Sequence, residues 1–457
     1  MHSAEVMETK YGTVVKRLCE EFLQYTRFDT SAYENLDVKR GLRNADGTGV
    51  LAGLTKVCNV HGYVMDEGEK SPIDGELIYR GINVKELIDG CTSENRFGYE
   101  ETAYLLLFGK LPSREELTTF CEMLEDCREL PDGFSEDMIM KVPSPNIMNK
   151  IGRSILALYS YDDKAEDTSV ENILRQSILL LAMTPEIMVN AYQVKRRHYD
   201  HKSMYVHPPI KGYSIAESIL SEMRADRQFT PEEAKLLDLC LILHAEHGGG
   251  NNSTFVCRAL TSSGTDTYSA ISGAVGSLKG PRHGGANLKV MEMLGYIEEG
   301  VKDWDDDDEV STFLNKLMHK EAGDKSGLIY GIGHAVYTKS DPRAIILRDH
   351  ALELAKKQGF EKEFRLLQSV ERLAPSVFAK NKGDGKYICA NVDLYSGLVY
   401  KMLKIPPELF TPLFAISRMA GWCAHRLEES VMGNRIMRPA YKSIARTLNY
   451  IPLDKRI

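Results

Sequence analysis

Three of the twelve histidines sit in stretches with more than one glycine: His247 before Gly248-Gly249-Gly250-Asn251, His283 within Gly280-Pro281-Arg282-His283-Gly284-Gly285, and His334 within Gly331-Ile332-Gly333-His334. Glycine removes side-chain bulk, so a ligand or a second backbone can approach such an imidazole closely. One histidine of this kind reads as a turn residue bonded to backbone; three in one chain point to a site. His244 and His247 lie three apart, on one face if the helix continues through both, a spacing that would suit zinc. Without an H-E-x-x-H motif or a cysteine partner a hydrogen-bonding role is the better reading, and no metal is assigned. His283 lies just before residues 287–294, a predicted helix start, where the positive end of the helix dipole disfavours an imidazolium. A neutral imidazole there can donate a hydrogen bond to a carbonyl oxygen.

Nine residues beyond His334, Arg343 falls in the first turn of the next predicted helix. A cation there opposes the dipole, so a bound carboxylate explains it better than local stability does. Asp393 follows the apolar run Ile388-Cys389-Ala390-Asn391-Val392. Desolvation would raise its pKa and strengthen it as a base. The spacing fits equally well with Asp393 as the N-cap of residues 394–403, and both readings stand. With 57 Lys+Arg against 65 Asp+Glu the net charge is -8, which argues against nucleic acid or an anionic membrane as partner. An anionic ligand must therefore be caught by a few placed cations.

The elements that must hold these residues are mostly helical. Thr230-Pro231-Glu232-Glu233 is a capping box with proline at the first helical position, and the helix is predicted to run to the glycines at 248–250. Ser113 precedes Glu116 at the same spacing, and Ser340-Asp341-Pro342 opens a segment that Gly359 closes. Strand signals are few, at 54–65 and 385–392. The acidic run 303–309 lacks the glycine and spaced ligands of a calcium loop and reads as a solvated loop or helix start. The fold class is mostly all-α with a few short strands, and 457 residues imply at least two domains. Nine scattered cysteines without a C-x-x-C pair fit a reducing compartment. No apolar signal core or membrane-length stretch is present, so a cytoplasmic location is expected.

The motifs H-A-E-H-G-G-G-N, G-P-R-H-G-G-A-N, G-I-G-H-A-V-Y-x-x-x-D-P-R and N-V-D-x-Y-S-G, in this order between 244 and 397, resemble the citrate synthase family in its bacterial form. The resemblance extends upstream through DGELIYRGINVKELIDG and ETAYLLLFGKLPSREEL and downstream through ISRMAGWCAHRLEE and IMRPAY, covering roughly 75 to 445. It implies a two-domain helical fold: residues 1–284 and 396–457 form a large domain for dimerisation and oxaloacetate, and 285–395 a small domain that closes over acetyl-CoA. It also implies a homodimer and an acyltransferase that condenses acetyl-CoA with oxaloacetate and hydrolyses citryl-CoA to citrate and CoA, the entry step of the tricarboxylic acid cycle. The catalytic set implied is His283, His334 and Asp393. Oxaloacetate would be bound by His247, Asn251, Arg343, Arg418 and Arg438, the last donated by the neighbouring subunit. Acetyl-CoA would lie along Leu328, Ile329, Tyr330, Gly331, Ile332 and Gly333. It would be a substrate rather than a cofactor, and no cofactor or metal is called for. Motifs shared with 2-methylcitrate synthases keep propionyl-CoA open as an alternative substrate, because one methylene is worth only about 1 to 3 kcal/mol. A non-catalytic CoA- or dicarboxylate-binding homologue is the reading from another class; the presence of all three catalytic side-chain types argues against it. The first 70 or so residues match less distinctly and give no sign of a regulatory extension.

Overall fold

Thr230 and Glu233 cap each other's backbone as predicted: Thr230 Oγ1 accepts from the Glu233 N–H at 3.2 Å and the Glu233 carboxylate accepts from the Thr230 N–H at 2.9 Å. Ser113 and Glu116 form the same reciprocal pair, and Asp341 caps the helix that Gly359 closes at φ 79°. The helix from Pro231 ends at His244, short of the glycines. The carbonyls needed to continue it are claimed from outside. Arg418 Nε donates to His244 O at 2.7 Å, the Gly421 N–H donates to Ala245 O at 3.2 Å, and the Tyr79 hydroxyl lies 3.0 Å from Glu246 O. His244 and His247 therefore do not share a helical face.

The computed structural model describes residues 2–25, 33, 36–44, 46–66, 69–382, 387–432, 435–445 and 447–456. Its main elements are α1 (His2–Tyr25), β1 (Cys58–Asp66), β2 (Glu69–Tyr79), β3 (Ile82–Asn83), α2 (Val84–Ser93), α3 (Tyr99–Phe108), α4 (Arg114–Asp126), α5 (Ile147–Leu158), α6 (Val170–His198), α7 (Ile215–Met223) and α8 (Pro231–His244). There follow α9 (Asn252–Ser262), α10 (Thr267–Leu278), α11 (Ala286–Gly300), α12 (Asp307–Met318), α13 (Pro342–Gln358), α14 (Glu361–Lys382), α15 (Asp393–Met402) and α16 (Phe410–Val431). The acidic run resolves as a helix start, with Asp306 capping α12. The fold is all-α with one small sheet. Contacts divide the chain into Met1–Gly53 and Leu54–Ile457. The first unit holds α1, which exposes Tyr11, Val14, Leu18 and Phe22.

In the second unit α16 is the central helix, with Trp422, Arg418 and Arg426 among the largest fully buried side chains. It packs against α6, α9, α3 and α8, while α11 packs on α15, α12 on α14 and α13 on α15. The sheet order is β1-β2-β3, antiparallel, with Cys58 opposite Tyr79 and a register shift between His61 and Tyr63. The predicted strand at 54–65 is thus found from Cys58 on, but its partner β2 was hidden because Pro72 and Gly75 interrupt the strand pattern. The strand expected at 385–392 is not formed. Residues 385–386 lie outside the described set, and the remainder contributes one bridge, Ala390 to Ile332.

The β1–β2 hairpin exists to hold a loop. A side chain at Gly62 would meet Val336 O at 2.8 Å, and one at Gly75 would meet the Tyr337 ring at 2.7 Å. Gly75 N–H donates to Ser340 Oγ at 3.0 Å, and the Tyr337 hydroxyl reaches Glu76 O at 3.3 Å. The segment after His334 is thereby pinned from beneath, as α8 is pinned by its cap. Thr230→Ala should lower unfolding stability by about 1 kcal/mol without changing substrate affinity; chemical denaturation checks the first expectation and steady-state kinetics the second.

Candidate active site

Arg418 enters the site from the middle of α16 and is fully buried. Its Nε is fixed on His244 O, whereas neither Nη1 nor Nη2 has a hydrogen-bond partner. Phe414, one turn earlier, lies under the guanidinium at 4.7 Å and beside the His244 ring at 4.5 Å. Both ring nitrogens of His244 and Nε2 of His247 are likewise buried and unpartnered. Burial, followed by the charges of Arg343 and Arg418, holds both histidines well below the ordinary imidazole range. A buried cation with two unmade hydrogen bonds is costly, and a carboxylate placed there would satisfy both.

Arg343 is in the first turn of α13, as predicted, but its need for a carboxylate is partly met within the chain. Asp341 takes Nε at 3.0 Å and Nη2 at 2.7 Å in a two-bond fork, accepts from the Arg343 N–H, and accepts from the Val392 N–H at 3.3 Å. Nη1 takes no part in that fork. Asp341 thus ties the guanidinium to the approach of Asp393.

Hydrogen bonding decides where each imidazole carries its proton. His334 Nδ1 accepts from the N–H groups of Val336 and Tyr337, both at 3.0 Å, so its proton is on Nε2. Its ring stacks on Tyr337 at 4.6 Å and stands 5.0 Å from the ring of His247. His283 Nε2 faces the Ser253 N–H at 3.3 Å and Ser253 Oγ at 3.1 Å. The one Ser253 hydroxyl proton goes to Asn251 Oδ1 at 2.9 Å, and Oγ accepts from Trp422 Nε1 at 3.1 Å. Nε2 is therefore an acceptor and the proton sits on Nδ1. His283 is neutral as expected. Burial, then Arg418, pushes its pKa down to about 4, and α11 begins at Ala286, three residues on.

Asp393 is the first residue of α15 and not its N-cap. Asn391 Oδ1 instead accepts the Asp393 N–H at 3.0 Å. Burial pushes the Asp393 pKa up to about 6, against the opposing pull of Arg343 and Arg418. The loop before His334 is stitched to the strand-like approach of Asp393 by Gly333 N–H to Cys389 O at 2.7 Å, Asn391 N–H to Gly331 O at 2.8 Å, and Asn391 Nδ2 to Gly333 O at 2.8 Å. Gly331 adopts φ 78°, and a side chain there would lie 2.9 Å from Leu394 Cα.

His247, His334 and Arg343 thus meet around Tyr337, Asn251 and His283 are joined through Ser253, and the charge of Arg418 acts on His247, His283 and Asp393. Along the predicted acetyl-CoA segment Leu328 is exposed, Ile329 buried, and Tyr330 bonded through its hydroxyl to Asp324 at 2.6 Å. Arg438 is exposed in the segment without regular structure after 435 and has no ion pair or hydrogen bond to a described residue. Sequence reasoning missed Asp341, Ser253 and Trp422. Asp341 stands inside one recognised motif and Ser253 two residues past another, and both were readable as caps or turn residues; Trp422, within the downstream stretch 416–429, had no signal for its contact with Ser253.

One partly buried carboxylate poised as a base, two neutral imidazoles with defined N–H donors, and an unsatisfied guanidinium make a site for carbon–carbon condensation beside a bound carboxylate. The model of the citrate synthase C-terminal domain matches residues 46–440. A citrate synthase of Synechocystis is 35% identical over 90% of this chain and 93% of its own. A 2-methylcitrate synthase of Corynebacterium glutamicum is 32% identical over 90% and 95%. The ternary complex of carboxymethyl coenzyme A and oxaloacetate with citrate synthase from Thermoplasma acidophilum superposes with a TM-score of 0.72 at 26% identity, covering 92% of this chain and 99% of that one. The chain belongs to the citrate synthase family, enzymes of the acyltransferase class. Among the described residues no cluster of metal-binding side chains occurs and no helix is long and apolar enough to cross a membrane. Titration of isotopically labelled His283 followed by NMR should give a midpoint near 4; a midpoint above 6 would remove the buried, neutral assignment.

Proposed function

We propose that the chain condenses acetyl-CoA with oxaloacetate and hydrolyses citryl-CoA to citrate and CoA, the entry step of the tricarboxylic acid cycle. The observation that carries this reading is the fully buried Arg418 with both terminal nitrogens unpartnered, set among neutral imidazoles. A small dianion supplies what those nitrogens lack. Arg418 and Arg343 hold its carboxylates, with His247 and Asn251 at its edge.

The Asp393 carboxylate removes a methyl proton from acetyl-CoA while His283 Nδ1–H donates to the thioester oxygen, so charge develops against a hydrogen bond. The enol carbon attacks the ketone of oxaloacetate. His334 Nε2–H polarises that ketone oxygen and delivers its proton to the alkoxide. Water then cleaves the thioester of citryl-CoA. Acetyl-CoA is a substrate lying along 328–333; the chemistry uses neither cofactor nor metal. Residues 285–395 act as the small domain and the remainder as the large one, in a cytoplasmic enzyme. The match to a 2-methylcitrate synthase at 32% identity supports testing propionyl-CoA beside acetyl-CoA in the same thiol-release assay.

The base assignment has a pH signature. A carboxyl with a pKa near 6 is a base only above that pH, so log kcat/KM should fall with unit slope below about pH 6, and His283, neutral down to about 4, should add no second limb there. Asp393→Asn should cut kcat on the order of 100-fold or more with oxaloacetate binding retained. Near-normal turnover by a folded Asp393→Asn protein would eliminate the assignment.

The functional unit is a homodimer in which Arg438 completes the partner's site. Support comes from the exposed tail, where Tyr441 is 94% and Leu448 86% accessible. Arg438→Ala and His283→Ala proteins should each be nearly inactive. In a mixed dimer both lesions fall in one site and the other is intact. Random reassociation of equal amounts should therefore restore roughly a quarter of wild-type activity by the two-fold symmetry. Verified subunit exchange without recovery would show that Arg438 is not shared.

A further inference from the structure

Behind Arg418 runs a buried chain of charged groups that the reaction does not touch. Glu246 Oε1 is 3.1 Å from His425 Nε2, and both side chains are wholly inaccessible. His425 Nδ1 is 2.9 Å from Arg258 Nη1. Arginine only donates, so Nδ1 accepts, and Nε2 carries the proton that it donates to Glu246. Arg258 is itself held by Glu428 at 2.8 Å and Glu429 at 2.7 Å. The other oxygen of Glu246 has no partner and is walled by Gly421, where an added side chain would collide with it.

Glu246 lies two residues past the carbonyl that holds Arg418 Nε, with its free oxygen against Gly421, one turn along α16 from Arg418, and its charge acts on that guanidinium, yet the two form no ion pair among the described residues. A carboxylate beside a half-satisfied guanidinium can take it in a two-bond fork, as Asp341 takes Arg343. We propose that His425 is a positioning residue for the dicarboxylate site: anchored by Arg258, it holds Glu246 back as a counter-charge, so that both terminal nitrogens of Arg418 remain for a ligand carboxylate. This inference rests on the reading of Arg418 as an oxaloacetate ligand.

The test uses the full-length protein and oxaloacetate as the probe, with affinity from calorimetry and KM and kcat from thiol release. His425→Leu frees Glu246 to fork onto Arg418. It should raise Kd and KM for oxaloacetate by about 10-fold or more, the loss of a charge-assisted hydrogen-bond pair, with kcat changed less than about 3-fold. His425→Gln, whose amide can accept from Arg258 and donate to Glu246, should stay near wild type. Adding Glu246→Gln to His425→Leu should restore much of the affinity, because the competing carboxylate is gone. Damage to the core alone would instead make the double variant no better than the single one, and that outcome overturns the proposal, as does unchanged affinity in a folded His425→Leu protein. If His425→Leu does not fold, His425→Asn, too short to reach both partners, takes its place: weakened affinity supports the clamp and wild-type affinity overturns it. Normal oxaloacetate binding by Arg418→Gln would instead sink the ligand reading itself, whatever the His425 variants do.

Discussion

A guanidinium buried with two nitrogens unbonded is a large local cost, and the fold around Arg418 is organised to bear it. α16 is buried along nearly its whole length, so Arg418 cannot reach water. Its Nε is spent on the end of α8, which both orients the planar group and stops that helix at His244. The halt leaves Glu246 and His247 outside the helix and lets His247 face His334. One hydrogen bond thereby ties the central helix, the end of a neighbouring helix and two site histidines into a single arrangement. In a low-dielectric pocket such fixed donors act on an anion more strongly than they would in water.

The second half of the site is held differently. The loop from Leu328 to Ser340 has little regular structure, and its shape comes from what it touches. Gly62 and Gly75 of the hairpin lie against its far side, and residues 389–391 are stitched to its near side. Because His334 and Asp393 belong to the two stitched strands of chain, their separation is set by backbone hydrogen bonds and not by side-chain packing. Asp341 adds one more tie, joining Arg343 to Val392.

The legible parts of this site were local ones. Capping boxes and the helix-closing Gly359 announce themselves within a few residues and lie where the chain uses them, whereas the glycines at 248–250 do not close α8; the three histidines in glycine-containing stretches are also legible within a few residues. Asp393 was legible as a buried carboxylate but ambiguous as a cap, because burial and capping place the same residue at the same spacing; the decision depended on Asn391, which takes the backbone N–H. Long-range relations were hidden. Trp422 and Ser253 meet across 169 residues, and β2 pairs with β1 despite a proline and a glycine that a strand pattern forbids. The helix start after His283 was legible, whereas the burial of His283 beside Arg418 was not: it belongs to the folded chain and has no trace in the sequence around 283.

Under the proposed mechanism, the charges around Asp393 would couple its basicity to occupancy of the dicarboxylate site. Burial raises its pKa while Arg343 and Arg418 lower it, and the balance falls near 6. A dicarboxylate between the two guanidinium ions neutralises the lowering influence and leaves the burial in place. The carboxylate would then become a stronger base, and general-base catalysis is most effective when the pKa is close to the working pH. The same neutralisation weakens the repulsion that keeps His283 from accepting a proton, but its burial and the Ser253 N–H aimed at Nε2 still keep it neutral. In the proposed mechanism base strength would thus rise when the acceptor is bound, while the hydrogen-bond donor on Nδ1 is kept, so proton abstraction from the acyl substrate would be favoured once there is something for the new carbon nucleophile to attack.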